Sequence, residues 1–167
     1  MTVFSEGNLQ VTFPPDIAAR KFDDTHHGLT HCMKAVDFIV ELDDRFIFIE
    51  FKDPQHPSSK HTDGEKWIKK FLSGNLDEDF KLKYRDSFLY AWATAQVKKP
   101  IYYYVLVAID TLTEADLLMR TDELKRKLPI EGPSGIWKRK IVHGCAVFNI
   151  VTWNKILSDF PLSRTSS

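Results

Sequence analysis

Apolar positions along this chain change period several times, and each change marks an element. Residues 8–13 (Asn-Leu-Gln-Val-Thr-Phe) alternate and predict a short strand. Pro14-Pro15-Asp16 then starts a turn, or a short helix through Phe22 with Asp16 as its cap. The strongest alternation runs from Val36 to Lys52, where two stretches rich in Val, Ile and Phe flank Asp43-Asp44. Such a pair tolerates the positive φ angles of a tight hairpin turn. With Leu42 facing Arg45 across that turn, Glu41 pairs with Phe46, Ile39 with Phe48, and Asp37 with Glu50.

Beyond the hairpin, Asp53-Pro54 stops the strand, because proline cannot donate to a ladder. A polar loop follows through Gly64, then a short amphipathic helix at Glu65–Ser73 and a second at about 82–97 with aromatics at helical spacing. The continuous apolar run Ile101–Ile109 predicts a central strand covered on both faces. Thr113-Glu114-Ala115-Asp116 has the form of a capping box and opens a helix to about Leu128. A strand at about 140–151 and a last helix, Trp153–Asp159 with Thr152 as cap, complete the pattern, and 161–167 reads as a frayed tail. The order points to one α/β domain over residues 1–160, a sandwich with a central mixed sheet flanked by helices.

Alternation places Asp37, Glu50 and Lys52 on one face of the hairpin and Phe38, Val40, Ile47, Ile49 and Phe51 on the other. Two carboxylates opposite one another on paired strands repel, and burial makes two unpaired charges costlier. Something positive has to stand beside them: Lys52, a metal ion, or both. A hard cation such as Mg²⁺ is held by one or two carboxylates together with water and substrate phosphate.

The spacing Asp-x12-Glu-x-Lys on the two arms of a hairpin resembles the PD-(D/E)xK nuclease superfamily, which has the restriction-endonuclease-like fold. The resemblance covers about residues 30–110; Val36 stands where the family name has a proline, and no Glu lies between Glu6 and Glu41 to supply the helix-borne acid of some members. Asp23 or Asp24 is the nearest substitute for that acid. The resemblance implies a Mg²⁺-dependent nuclease, with Mn²⁺ as substitute, that hydrolyses phosphodiester bonds of nucleic acid, DNA in the first instance. Asp37 and Glu50 would bind the metal, the Phe51 carbonyl would add a ligand, and Lys52 would assist the attacking water. On the helix after the Lys strand it offers Tyr84 and Gln96 as substrate contacts; Lys34 and His31, just before Asp37, Lys60 in the loop beyond Lys52, and Lys98 and Lys99 after that helix are candidates by their position. It allows a homodimer that cuts two strands. A catalytically silent protein of the same fold, acting as a nucleic-acid- or protein-binding module, is the competing reading.

Composition narrows this picture. The chain has 167 residues, with 23 Lys/Arg against 23 Asp/Glu, so it is no generic basic coat for nucleic acid. It has no long apolar run and no basic-then-apolar start, so the expectation is a cytoplasmic protein with no membrane partner. Cys32 and Cys145 lack metal or redox spacing and read as small core residues in a reducing compartment. His26, His27 and His31 have no second cluster to complete four zinc ligands; they read as surface or packing residues, or as groups near Asp37 that touch substrate. Lys138-Arg139-Lys140 beside Trp137 reads as a solvated strand start or a grip on a nucleic-acid backbone. No glycine-rich phosphate loop and no Gly-x-Ser-x-Gly occurs, which removes nucleotide-cofactor and serine-hydrolase readings.

Overall fold

The structure is a computed structural model that describes residues 1–56 and 61–165. Its frame is a five-stranded mixed sheet in the order β3 (Ala18–Lys21), β4 (Phe38–Glu41), β5 (Phe46–Lys52), β6 (Ile101–Val107), β7 (Gly144–Phe148). The first three strands form an antiparallel meander, and β6 and β7 add in parallel. Parallel neighbours need crossovers. Helices α1 (His61–Leu72) and α2 (Asp77–Ala93) supply the crossover from β5 to β6, and α3 (Glu114–Lys127) supplies the one from β6 to β7.

The sheet is apolar on both faces. Ile39, Phe48, Tyr103, Val105 and Val147 pack beneath Phe71 of α1, Phe80 and Tyr84 of α2, and Leu117 and Leu124 of α3. On the other face, Phe38, Val40, Ile47, Ile49 and Phe51 meet a second, three-stranded sheet and α4 (Ile150–Ile156). That sheet has the order β1 (Thr2–Glu6), β2 (Leu9–Phe13), β8 (Leu162–Arg164), all antiparallel. The molecule is therefore layered: helices on one side, a small sheet with α4 on the other. No described helix is long and apolar enough to cross a membrane.

Several elements depart from the sequence expectation, each for a local reason. Residues 14–22 form no helix: Ile17 N–H donates to the Pro14 carbonyl in a turn, and 18–21 enter the sheet as edge strand β3 beside β4. Asp43 and Asp44 close the hairpin with the expected register, Leu42 N–H donating to the Arg45 carbonyl at 2.8 Å, but neither adopts positive φ. Helix α1 begins earlier than expected and contains Gly64, where an added Cβ would lie 2.8 Å from the Pro54 carbonyl oxygen. Helix α2 begins at Asp77 because three acids in its first turn suit the helix dipole, and Asp77 is itself buried. Strand β7 ends at Phe148, since Asn149 rather than Thr152 caps the last helix; the two exchange side-chain-to-backbone hydrogen bonds in a capping box.

The chain end is not frayed through Arg164. Asn154 clamps Leu162 with bonds to its N–H and carbonyl, and Trp153 Nε1 donates to the Phe160 carbonyl at 2.7 Å. Phe160 and Leu162 are buried. Cys145 is buried as expected, whereas Cys32 is exposed, on the loop between β3 and β4.

Candidate functional site

The meander brings Asp37 and Glu50 together. Continuing the β4–β5 register past Phe38↔Ile49 sets Asp37 opposite Glu50. Asp37 is fixed from three directions. Its carbonyl accepts from Phe22 N–H at 2.8 Å, the preceding amide of Val36 donates to Ser87 Oγ of α2 at 3.0 Å, and its Oδ2 accepts from Phe51 N–H at 2.6 Å. Glu50 lies two residues before the end of β5, level with Val105 of β6. Asp37 is 3% exposed and Glu50 0%. Two carboxylates so deeply buried are costly unless cations stand beside them.

Two ammonium groups do. Lys52 Nζ is 2.5 Å from Glu50 Oε1, and Lys83 Nζ, from the first half of α2, is 2.7 Å from the same oxygen. Lys83 also lies 4.0 Å from Asp37 Oδ1 and 3.8 Å from Asp23 Oδ2, so one half-buried lysine faces three carboxylates. Glu50 Oε2 has no hydrogen-bond partner among the described residues, and neither does the fully buried Tyr103 hydroxyl.

The electrostatics follow from this packing. Burial, then the neighbouring Glu50, pushes the Asp37 carboxyl up to about 7, while Lys83, the Phe51 amide and Lys52 pull the other way. Burial also raises Glu50, against the pull of Lys52 and Lys83. Two ammonium groups touch Glu50 and offset part of that burial, whereas the cation nearest to Asp37 is at 4.0 Å, so Asp37 is the member of the pair that takes a proton near neutrality. For Lys83, burial works against the charge, but Glu50, Asp37 and Asp23 outweigh it and hold the ammonium above its ordinary range. Lys83 is thus a fixed cation, not a base. Tyr103 is raised well above the usual phenol range by burial first and by Glu50 and Asp37 next, so its hydroxyl keeps its proton.

The other sequence candidates scatter. Lys34 pairs through its ammonium with Asp79 of α2, and its N–H donates to Asp86 Oδ2; it ties the β3–β4 loop down. His31 is exposed on that same loop, and Lys60 lies outside the described residues. Tyr84 is a core residue, not a substrate contact: it is 0% exposed and its hydroxyl donates to the Ile141 carbonyl at 2.7 Å. Gln96 accepts from Arg20 Nη2 at 2.8 Å, and Lys99 pairs with Glu41 at 2.8 Å beside the hairpin turn. Lys98 is exposed in the same region. Glu41 pairs with Phe46, four strand positions from Glu50, which is about 13 Å along β5. Gln96, Lys98 and Lys99 therefore belong to the opposite end of the sheet from the acids.

Lys83 is the site residue that the sequence reading missed. It sits one position before the core residue Tyr84 in a helix whose lysines all look alike in sequence. A lysine directly beside a core aromatic, on the helix that follows the Glu-x-Lys strand, is the signal that was available. Tyr103 gave none, being one tyrosine of three in an apolar strand.

As a metal centre the arrangement offers two side chains. Among the described residues no group of three or more His, Cys, Asp and Glu side chains is placed to hold an ion. Two carboxylates are nevertheless a sufficient protein contribution for Mg²⁺, which keeps several waters and takes substrate phosphate oxygens. The unpartnered Glu50 Oε2 and the Asp37 Oδ1, with its nearest cation at 4.0 Å, are the atoms left to receive one. No protein-family model matches the chain, and comparison with curated proteins and with solved structures gives no match.

Proposed function

We propose that this protein is a divalent-metal-dependent phosphodiesterase acting on nucleic acid, DNA in the first instance, built on a restriction-endonuclease-like core. One observation carries the reading: a buried Asp37–Glu50 pair set in register on a hairpin, with Lys52 two residues beyond Glu50 at the rim. A buried charge cluster of this kind is weak as a stabilising device, since apolar residues of similar volume serve stability as well or better. The antiparallel meander followed by helices and a parallel strand suits that core, although a strand rather than a helix precedes the acid-bearing hairpin.

In this reading Asp37 and Glu50 hold Mg²⁺ or Mn²⁺, with the Phe51 carbonyl as a further oxygen on the residue whose amide already binds Asp37. Once bound, the ion offsets charge on the scissile phosphate and lowers the pKa of a water. Lys52, the more exposed of the two lysines, presents its ammonium to the charge that develops on the phosphate. Lys83 stays at the back of the site, where it favours the ionised form of Glu50 and keeps it aimed. Asp37 gives up its proton to accept an ion, so loading strengthens as pH rises through about 7.

The competing reading, a silent nuclease-fold binding module, rests on its own observation. Lys52 and Lys83 already stand against the acid pair, which is almost wholly covered from solvent. Calorimetric titration with Mn²⁺, alongside cleavage of single- and double-stranded DNA with and without chelator, separates the two. The metal-dependent reading expects Mn²⁺ binding that is lost in Glu50→Gln, and cleavage lost in both Glu50→Gln and Lys52→Met. DNA binding without a Mn²⁺ heat and without cleavage selects the silent module.

A further inference from the structure

A cleft of about 1230 Å³ has no part in the acid site. It opens where the C-terminal half of α2, the start of β6 and the segment before β7 converge. Its floor is apolar: Leu89, Trp92, Val97, Ile101 and Ile141. Trp92 is 67% exposed and Leu89 51%, on a helix that otherwise turns its large apolar residues inward. Its rim is cationic: Lys98 and Lys99 on one wall, Lys138, Arg139 and Lys140 on the other. In a chain with equal numbers of acidic and basic residues, not one carboxylate lines this cleft. Lys99 and Lys140 are paired with Glu41 and Glu131, whereas Lys98, Lys138 and Arg139 have no ion pair among the described residues.

We infer that this cleft is a docking groove for an acidic amphipathic helix of a partner protein. An apolar centre ringed by charge is the anatomy of a protein interface, and an amphipathic helix laid into a groove anchors through residues spaced by one turn. The complementary ligand has an apolar stripe for Trp92, Leu89 and Ile141 and acidic flanks for Arg139, Lys138 and Lys98. A single nucleic-acid strand fits the charge but not the floor. Bases stack on aromatic planes; of the rings that line the cleft, Phe88 is stacked on Tyr84 at a centroid distance of 6.4 Å and His143 lies against Tyr102 at 6.2 Å, so Trp92 is the exposed plane among them. The groove is also separate from the proposed active site. Lys83 and Trp92 are nine residues apart on α2, which puts them on opposite sides of the helix and about 13 Å apart along its axis. The inference therefore stands or falls independently of the metal-dependent reading.

The test uses the whole chain and fluorescently labelled peptides of about five helical turns. One carries Leu along a single face and Glu elsewhere, in a panel that varies the Leu spacing; a second has Lys for every Glu; a third is the acidic composition scrambled so that no apolar face remains. An oligothymidylate is the nucleic-acid probe. At least one acidic amphipathic peptide binds, more weakly as salt rises, and at least about tenfold more tightly than the basic and scrambled forms. Trp92→Ala combined with Arg139→Glu, both at exposed positions, weakens it at least about tenfold while thermal stability and Mn²⁺ binding stay as in the parent. Equal binding of the scrambled peptide, or no binding by any acidic peptide, overturns the inference. So does oligothymidylate binding that the double variant abolishes, or a concentration-dependent dimer in sedimentation that the same variant dissolves, since the occupant would then be nucleic acid or a second copy.

Discussion

Replacing Asp37 by Asn removes one ionisable group from the buried cluster and leaves an oxygen able to accept the Phe51 amide. In the parent, burial and Glu50 raise this carboxyl from 3.8 to about 7 on folding. The folded protein then holds the proton more tightly than the unfolded chain. Its contribution favours the fold below the unfolded value and is lost as pH rises toward the folded one. Each pH unit in that window is worth about 1.4 kcal/mol, so the parent forfeits about 4 kcal/mol at this site between roughly pH 4 and pH 7. Asn forfeits nothing there. Urea unfolding of parent and Asp37→Asn, in chelator at several pH values from about 5 to about 8, should show the variant gaining about 3 kcal/mol relative to the parent across that range. Parallel profiles would refute the argument, because they would mean that Asp37 ionises in the fold as freely as in the unfolded chain. Adding Mn²⁺ at the alkaline end separates this from the functional proposal. If the ion stabilises the parent and not the variant, the carboxylates hold metal; if it stabilises neither, the burial argument survives and the metal does not.

Three more substitutions probe the charges and clamps that hold the frame. Lys83→Met keeps most of the apolar stem but leaves Glu50 with Lys52 alone, and should cost about 3 kcal/mol at neutral pH and less in acid, where Glu50 takes up a proton; denaturant unfolding at the two pH values reads the difference. Arg120→Ala removes the buried partner of Asp77 that ties α3 to the start of α2, leaving Lys127 as its one cation among the described residues, and should cost about 3 kcal/mol by the same assay, with Asp77→Ala nearly additive only if the pair is not coupled. Trp153→Phe deletes the indole N–H that bonds the Phe160 carbonyl and should lower stability by about 1–2 kcal/mol while raising amide exchange in β8, with β6 unaffected.

The acid-bearing hairpin was legible because its information is local. A period of two, a turn pair and a one-step constraint on register suffice to place Asp37 opposite Glu50, and the observed ladder follows that register. The capping box at Thr113 and Asp116 is local in the same sense, and it forms as read. What escaped the sequence depends on partners far along the chain. Strand β8 is three residues long, too short for alternation to register, and it exists because Asn154 and Trp153 grip it and β2 offers an edge. The 18–21 segment has a helix-compatible composition, Ala-Ala-Arg-Lys, and becomes a strand because β4 needs a neighbour.

The same division runs through the site. Local pattern placed the two acids and Lys52, but could not say what makes their burial bearable. That role falls to Lys83, which arrives on α2 only once the crossover has packed across the sheet, and which faces Asp23, Asp37 and Glu50 together. The candidates drawn from sequence nearness failed for the matching reason. Gln96, Lys98 and Lys99 follow the same helix, but by its end α2 has carried the chain to the hairpin-turn end of the sheet, where Lys99 meets Glu41. A helix that runs the length of a sheet thus serves both ends of it with different residues. Its first half completes the acid cluster through Lys83, and its last turns supply Trp92 and Leu89 to the cationic cleft. Substituting Lys83 should therefore leave peptide binding in the cleft untouched, and substituting Trp92 should leave Mn²⁺ binding untouched; a variant that disturbs both would mean that α2 has shifted as a body, and the two sites would have to be argued as one.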